Sequence, residues 1–180
     1  HLTINDMCQD VLNFFINFRR LKFMKIFDVE FTNDTPSLPM VENLTIGFDV
    51  TGNWAEKFPN VRSLTMTWIR YKKDLIQVGK LRKLERLKIS NCCIPELSIP
   101  SVKILRLSDV GFADEKPFIG AKIEELIIDN CSTADWLAEF LSQDDKKINL
   151  LIISKTKVGR ECMDIIERSR HKIKSLQIVK

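Results

Sequence analysis

The side chains best able to do chemistry in this chain are five cysteines, Cys8, Cys92, Cys93, Cys131 and Cys162, and two histidines, His1 and His171. Clustered at ligand spacing they could hold zinc, and a Cys-His pair could supply an activated nucleophile. Neither spacing occurs. The cysteines are odd in number and scattered, which suits neither a disulfide framework nor a zinc site. His1 opens the chain, and His171 follows Glu167 by four residues, the separation of a helix-surface pair. A Gly-rich phosphate loop and a His/Glu metal motif are also missing. The expectation is a protein that is not an enzyme and uses no cofactor and no metal. Three sequons begin at Asn33, Asn43 and Asn130, and two of them fall in or beside expected strands, where a glycan fits poorly.

The elements that position these side chains follow from a nine-residue frame, apolar at its first, fourth and sixth positions. It starts at Leu21, Val41, Val61, Leu84, Val102, Ile123, Ile148 and Ile173. Its fourth and sixth positions run Met24/Ile26, Leu44/Ile46, Leu64/Met66, Leu87/Ile89, Leu105/Leu107, Leu126/Ile128, Leu151/Ile153 and Leu176/Ile178. Successive starts are 20, 20, 23, 18, 21, 25 and 25 residues apart. An independent cue is an apolar-Pro-x step before three frames, at Leu38-Pro39-Met40, Phe58-Pro59-Asn60 and Ile99-Pro100-Ser101. Proline fixes its own φ and holds the preceding residue extended, which suits a corner leading into a strand. Frame and spacing read as a leucine-rich repeat, whose period is about 20–29 residues. The expected fold is therefore an α/β leucine-rich-repeat solenoid, with a curved parallel inner sheet of eight or nine short strands and helices and loops on the convex side.

Residues 1–180 read as one leucine-rich-repeat domain. Leu2-Thr3-Ile4 fits the fourth to sixth positions of a further frame starting before residue 1, so the chain reads as a fragment of a longer protein. The net charge of +4, from 28 basic against 24 acidic residues, is too mild to imply nucleic acid by itself. No apolar run approaches the roughly 18 residues of a membrane span. Cys92 and Cys131 fall at the ninth frame position, as small buried hydrophobes separated by about 10 Å at two strand spacings, so a disulfide is not expected. All five cysteines are expected reduced, which points to cytoplasm or nucleus.

Helices are expected strongest at both ends. Residues 133–142 carry an N-cap candidate in Thr133 and apolar Trp136, Leu137, Phe140 and Leu141 at helical spacing, and 159–168 repeat the pattern. Asp6 to Phe18 is the convex helix expected for the first repeat. Trp54 and Trp136 read as convex-side packing. Lys72-Lys73, Lys80 to Lys83 and Lys146-Lys147 read as solvated loop charges.

In such a fold the third, fifth and seventh frame positions face away from the core. Row three is Phe23, Asn43, Ser63, Arg86, Ile104, Glu125, Leu150, Ser175; row five is Lys25, Thr45, Thr65, Lys88, Arg106, Ile127, Ile152, Gln177. Against a Ser/Thr-rich background, Arg86, Lys88 and Arg106 form a basic spot. Ile104, Ile127, Leu150 and Ile152 form an apolar patch beside it on a face that should be wet. Apolar clusters rimmed by charge mark partner sites. At the eighth position, Phe48 and Trp68 are a candidate second aromatic anchor, with packing under the next loop as the competing role.

The frames Leu84 to Cys92 and Ile123 to Cys131, with cysteine at the ninth position, and the step Val102 to Phe112 resemble the cysteine-type leucine-rich repeats of F-box proteins. That resemblance implies a protein-protein interaction scaffold, the substrate-recognition domain of an F-box ubiquitin-ligase subunit, which would dock to the ligase core through an F-box preceding residue 1. The alternative is an RNA-associated module similar to the leucine-rich domain of mRNA-export factors, using Lys25, Arg86, Lys88 and Arg106. Protein ranks before nucleic acid as the expected partner on the concave face, and no membrane is expected.

Overall fold

Successive side chains of an extended chain point to opposite faces, so the paired apolar residues at positions four and six of each frame demand a common buried face. The computed structural model describes residues 2–5, 19–69, 76–94, 101–112 and 121–179. Among them every frame forms a strand. These are β1 (Leu2–Asn5), β2 (Phe23–Phe27), β4 (Asn43–Ile46), β6 (Ser63–Thr67), β7 (Arg86–Ile94), β8 (Val102–Phe112), β9 (Ile123–Asp129), β10 (Ile148–Ser154) and β11 (Ile173–Val179). All nine join one parallel sheet in chain order, β1-β2-β4-β6-β7-β8-β9-β10-β11. A two-stranded parallel sheet, β3 (Glu30–Phe31) with β5 (Thr51–Gly52), lies beside it in the chain's front half. The fold is α/β with a large parallel sheet.

Parallel neighbours cannot be joined by a tight hairpin, so each connection must cross over one face of the sheet. Those crossovers hold α1 (Trp54–Lys57), a 3₁₀ turn at Gln77–Lys80, α2 (Leu137–Ser142) and α3 (Arg160–Arg168). Among the described residues the longest helices lie in the last two crossovers, β9 to β10 and β10 to β11, where the wide frame spacing leaves room for them. Asp6 to Phe18, Lys72-Lys73 and the Ile99-Pro100 step lie outside the described residues. Thr133 does not cap α2 directly. Its hydroxyl accepts from the Asp135 amide two residues on, 3.1 Å away, and so fixes the turn before the helix. Trp54, Trp136, Phe58 and Phe140 are buried beneath the crossovers, with Phe31 edge-on to Phe58 and Trp136 edge-on to Phe140.

The sixth-position side chains Ile26, Ile46, Met66, Ile89, Leu107 and Ile128 are fully buried, each roofed by neighbouring strands. Ile178 holds the same position in β11 yet is 42% exposed, because among the described residues nothing pairs with that strand's outer edge.

One expected solvated charge and one expected helix-surface pair turn out differently. Lys146 is buried, with its ammonium 5.5 Å from the centre of the Phe140 ring and 3.4 Å from Asp145. A lysine's long alkyl stem packs like a hydrophobe while its head finds the ring face and a carboxylate. His171 does not pair with Glu167 across a helix. Helix α3 ends first, and in the 3₁₀ turn Arg170–Lys172 the imidazole Nδ1 lies 3.2 Å from the Arg168 carbonyl. Next to it, Lys172 Nζ donates to the carbonyls of Leu141 and Gln143 at 2.9 and 3.0 Å, closing the C-terminus of α2. Lys172→Met should therefore lower stability to urea by about 1–2 kcal/mol with little change in helix content; an unchanged midpoint would remove that role.

Candidate functional site

Backbone pairing brings the outward rows into register. Row three aligns as Phe23↔Asn43↔Ser63↔Arg86↔Ile104↔Glu125↔Leu150↔Ser175, and row five as Lys25↔Thr45↔Thr65↔Lys88↔Arg106↔Ile127↔Ile152↔Gln177. Strand starts lock that register. The amides of Asn43, Ser63, Arg86 and Ile104 donate to the carbonyls of Lys22, Glu42, Arg62 and Glu85. Ion pairs Lys22–Glu42, Arg62–Glu85 and Lys103–Glu85 run along the same edge. The hydrogen bond from Lys22 and its charge, with Arg62 adding, hold the Glu42 carboxyl below its usual range.

Lys88 and Arg106 stand directly opposite each other on β7 and β8, and Arg86 faces Ile104 one row away. All three cations are exposed, and no carboxylate among the described residues lies within ion-pair distance of them. Beside them Ile104, Ile127, Leu150 and Ile152 are half-buried by their neighbours' side chains. Ile127 and Ile152 are direct partners, but Glu125 stands between Ile104 and Leu150 in row three. The apolar residues therefore form a zigzag band one strand per step, with one carboxylate at its margin.

Phe48 and Trp68 do not come together as a pair. Phe48 packs at a tilt against Phe27, ring centres 5.8 Å apart, while Trp68 stands 57% exposed without a ring neighbour among the described residues. A Cβ at Gly47 would sit 2.0 Å from the Phe27 ring, so only glycine lets that ring lie across β4 and meet Phe48. On the same open face, Phe23, Lys25, Asn43, Thr45, Ser63 and Thr65 line an open depression of about 430 Å³.

The thiols sit on the other side of the structure's chemistry. Burial pushes Cys92 up to about 12, with the neighbouring Cys93 and Cys131 thiols adding, and burial pushes Cys162 up to about 11, with Asp135 adding. Cys131 is raised for the same main reason. Cys92, Cys93, Cys131 and Cys162 are unpaired; Cys8 lies outside the described residues. Cys92 pairs with Val110 of β8, whose carbonyl in turn accepts from the Ser132 amide, so a whole strand separates Cys92 from Cys131.

A feature that the nine-residue frame did not anticipate recurs at its eighth position, inside β7 and β8 and just beyond the end of the other strands concerned. Asp28, Trp68, Asn91, Asp109, Asn130 and Lys155, all at the eighth position, have φ between 46° and 58°. The amides of Trp68, Asn130 and Lys155 donate to the seventh-position carbonyls of the next strand, Ser90, Ser154 and Val179. Asn and Asp tolerate this left-handed conformation best, and their recurrence at position eight was the available signal.

Compared with known proteins, the chain matches no family model, no curated protein and no solved structure. No helix among the described residues is long and apolar enough to cross a membrane.

Proposed function

We propose that this chain is a leucine-rich-repeat solenoid acting as a protein-interaction scaffold, with the open row-three and row-five face as its concave binding wall. The carrying observation is the opposition of Lys88 and Arg106. Like charges directly across a strand pair weaken a sheet, and a local rule broken with no compensating carboxylate among the described residues points to a ligand that supplies one. The half-buried Ile104, Ile127, Leu150 and Ile152 add an apolar surface of the kind that anchors partners.

The finer reading is the substrate-recognition domain of an F-box ubiquitin-ligase subunit, docked to the ligase core by an F-box preceding residue 1. It is supported by the ninth-position cysteines of the frames Leu84 to Cys92 and Ile123 to Cys131. The unpaired thiols support a cytoplasmic or nuclear setting.

Lys88→Glu tests the scaffold reading. Partner capture on the immobilised chain should fall several-fold at low ionic strength, with the difference shrinking as salt screens the rim charge. Equal capture by both proteins at every salt concentration would sink it. A labelled single-stranded RNA in the same format tests the alternative, a module similar to that of mRNA-export factors. Saturable RNA binding that Lys88→Glu removes would favour it.

A further inference from the structure

We infer that the occupant of this face is an amphipathic α-helix of a partner protein, laid across strands β7 to β10 with its acidic turn over Lys88, Arg106 and Arg86. This rests on the protein-binding reading of the face and adds the shape and charge pattern of what binds there.

The first argument is spacing. The apolar band offers Ile104 on β8, Ile127 on β9, and Leu150 with Ile152 on β10, so it advances one step per strand. Strands lie about 4.8 Å apart. A helix crossing them advances about 5.4 Å per turn, so over three strand steps it drifts from the band by only about 2 Å. An extended peptide repeats its face every two residues, about 6.7 Å, and drifts by about 6 Å over the same steps. One turn per strand is the match the sheet favours.

Width gives the second argument. Rows three and five are two residues apart along each strand, about 7 Å, so the zigzag is no broader than the apolar stripe of a helix about 10 Å across. Apolar residues at i, i+4 and i+7 would meet β10, β9 and β8 in turn. The following turn then reaches β7.

Charge sets the polarity of the pattern. The three cations cluster at the β7 and β8 end and lack a carboxylate among the described residues. Glu125 stands on β9 in the middle of the band, between Ile104 and Leu150, and disfavours acidic residues over the apolar stretch itself. Acid is therefore welcome at one end of the helix only.

Two displayed peptide libraries test this on the full chain. One fixes apolar residues at i, i+4 and i+7 with acidic residues in the next turn. The other has the same composition in strict apolar-polar alternation. The helical library should enrich on the wild-type chain at least about tenfold over Ile127→Asp, and over Lys88→Glu at low salt, with synthetic winners gaining helical ellipticity on binding. Enrichment of the alternating library, abolished by Ile127→Asp, would overturn the helical occupant while leaving the protein-binding face intact. Enrichment of neither library, or saturable binding of random single-stranded RNA through Lys88, would overturn both.

Discussion

Replacing Ile128 by aspartate should unfold the domain, while the same change at its neighbour Ile127 should leave the far-ultraviolet ellipticity within about a tenth of wild type and remove partner binding. The two side chains are adjacent in β9 and chemically identical, but period-two alternation sends them to opposite faces. Ile128 is fully buried, and Ile127 is half-buried on the open face. An unpaired carboxylate in an apolar core costs several kcal/mol or shifts its proton equilibrium, and the lost packing adds about 2–5 kcal/mol. Together these consume most of a typical domain's stability of about 5–15 kcal/mol. At Ile127 the structural cost is mainly strand propensity, about 1 kcal/mol, whereas removing an apolar anchor costs a partner about 2 kcal/mol or more. Circular dichroism and thermal melting of both variants settle the assignment. A folded Ile128→Asp or a collapsed Ile127→Asp would mean that β9 presents the wrong face.

How much of this was legible beforehand depended on which signal each feature left in the chain. Strand positions were legible because burial demands apolar residues at positions four and six, and sheet register then placed Arg86, Lys88, Ile104, Arg106, Ile127, Leu150 and Ile152 where the alternation put them. The charge ladder of Lys22, Glu42, Arg62, Glu85 and Lys103 was equally readable in the second row, and it reinforces that register at the sheet's edge. The interruption by Glu125 could be read too, since it stands in row three, but its consequence needed the pairing. Features set by three-dimensional packing left no such trace. Nothing in the sequence tells that Phe27 lies across Gly47 and packs against Phe48, because that depends on a ring from one repeat entering the next. Lys146 looks like any loop lysine until Phe140 is found under it. Trp68 and Lys155 take the left-handed conformation that Asn and Asp adopt in the other repeats, so the backbone turn there is imposed by the neighbouring strand's carbonyl and not by residue preference.

Native thiol reactivity should separate the described cysteines. The thiolate is the reactive form, so a thiol held up to about 12 has about a thousandfold less of it near pH 8 than one at the ordinary 9.0. Cys92, and Cys162 at about 11, should therefore alkylate much more slowly in the native protein than in denaturant, and more slowly than the exposed Cys93. The same displacement couples folding to pH. The folded chain keeps these protons to higher pH than the unfolded chain, so unfolding releases protons above about 9 and stability falls with rising pH. The contribution is whole below the ordinary value of 9.0 and is lost as pH climbs toward about 11 for Cys162 and about 12 for Cys92. Cys92→Ala should flatten that alkaline decline without altering stability's pH dependence below neutrality. Residue-resolved alkylation by mass spectrometry and urea midpoints across the alkaline range measure both effects. Cys92 labelling as fast as Cys93 in the folded state would show that the β7–β9 core admits solvent at the ninth frame position, and the packing assigned to both repeat cysteines would have to be abandoned.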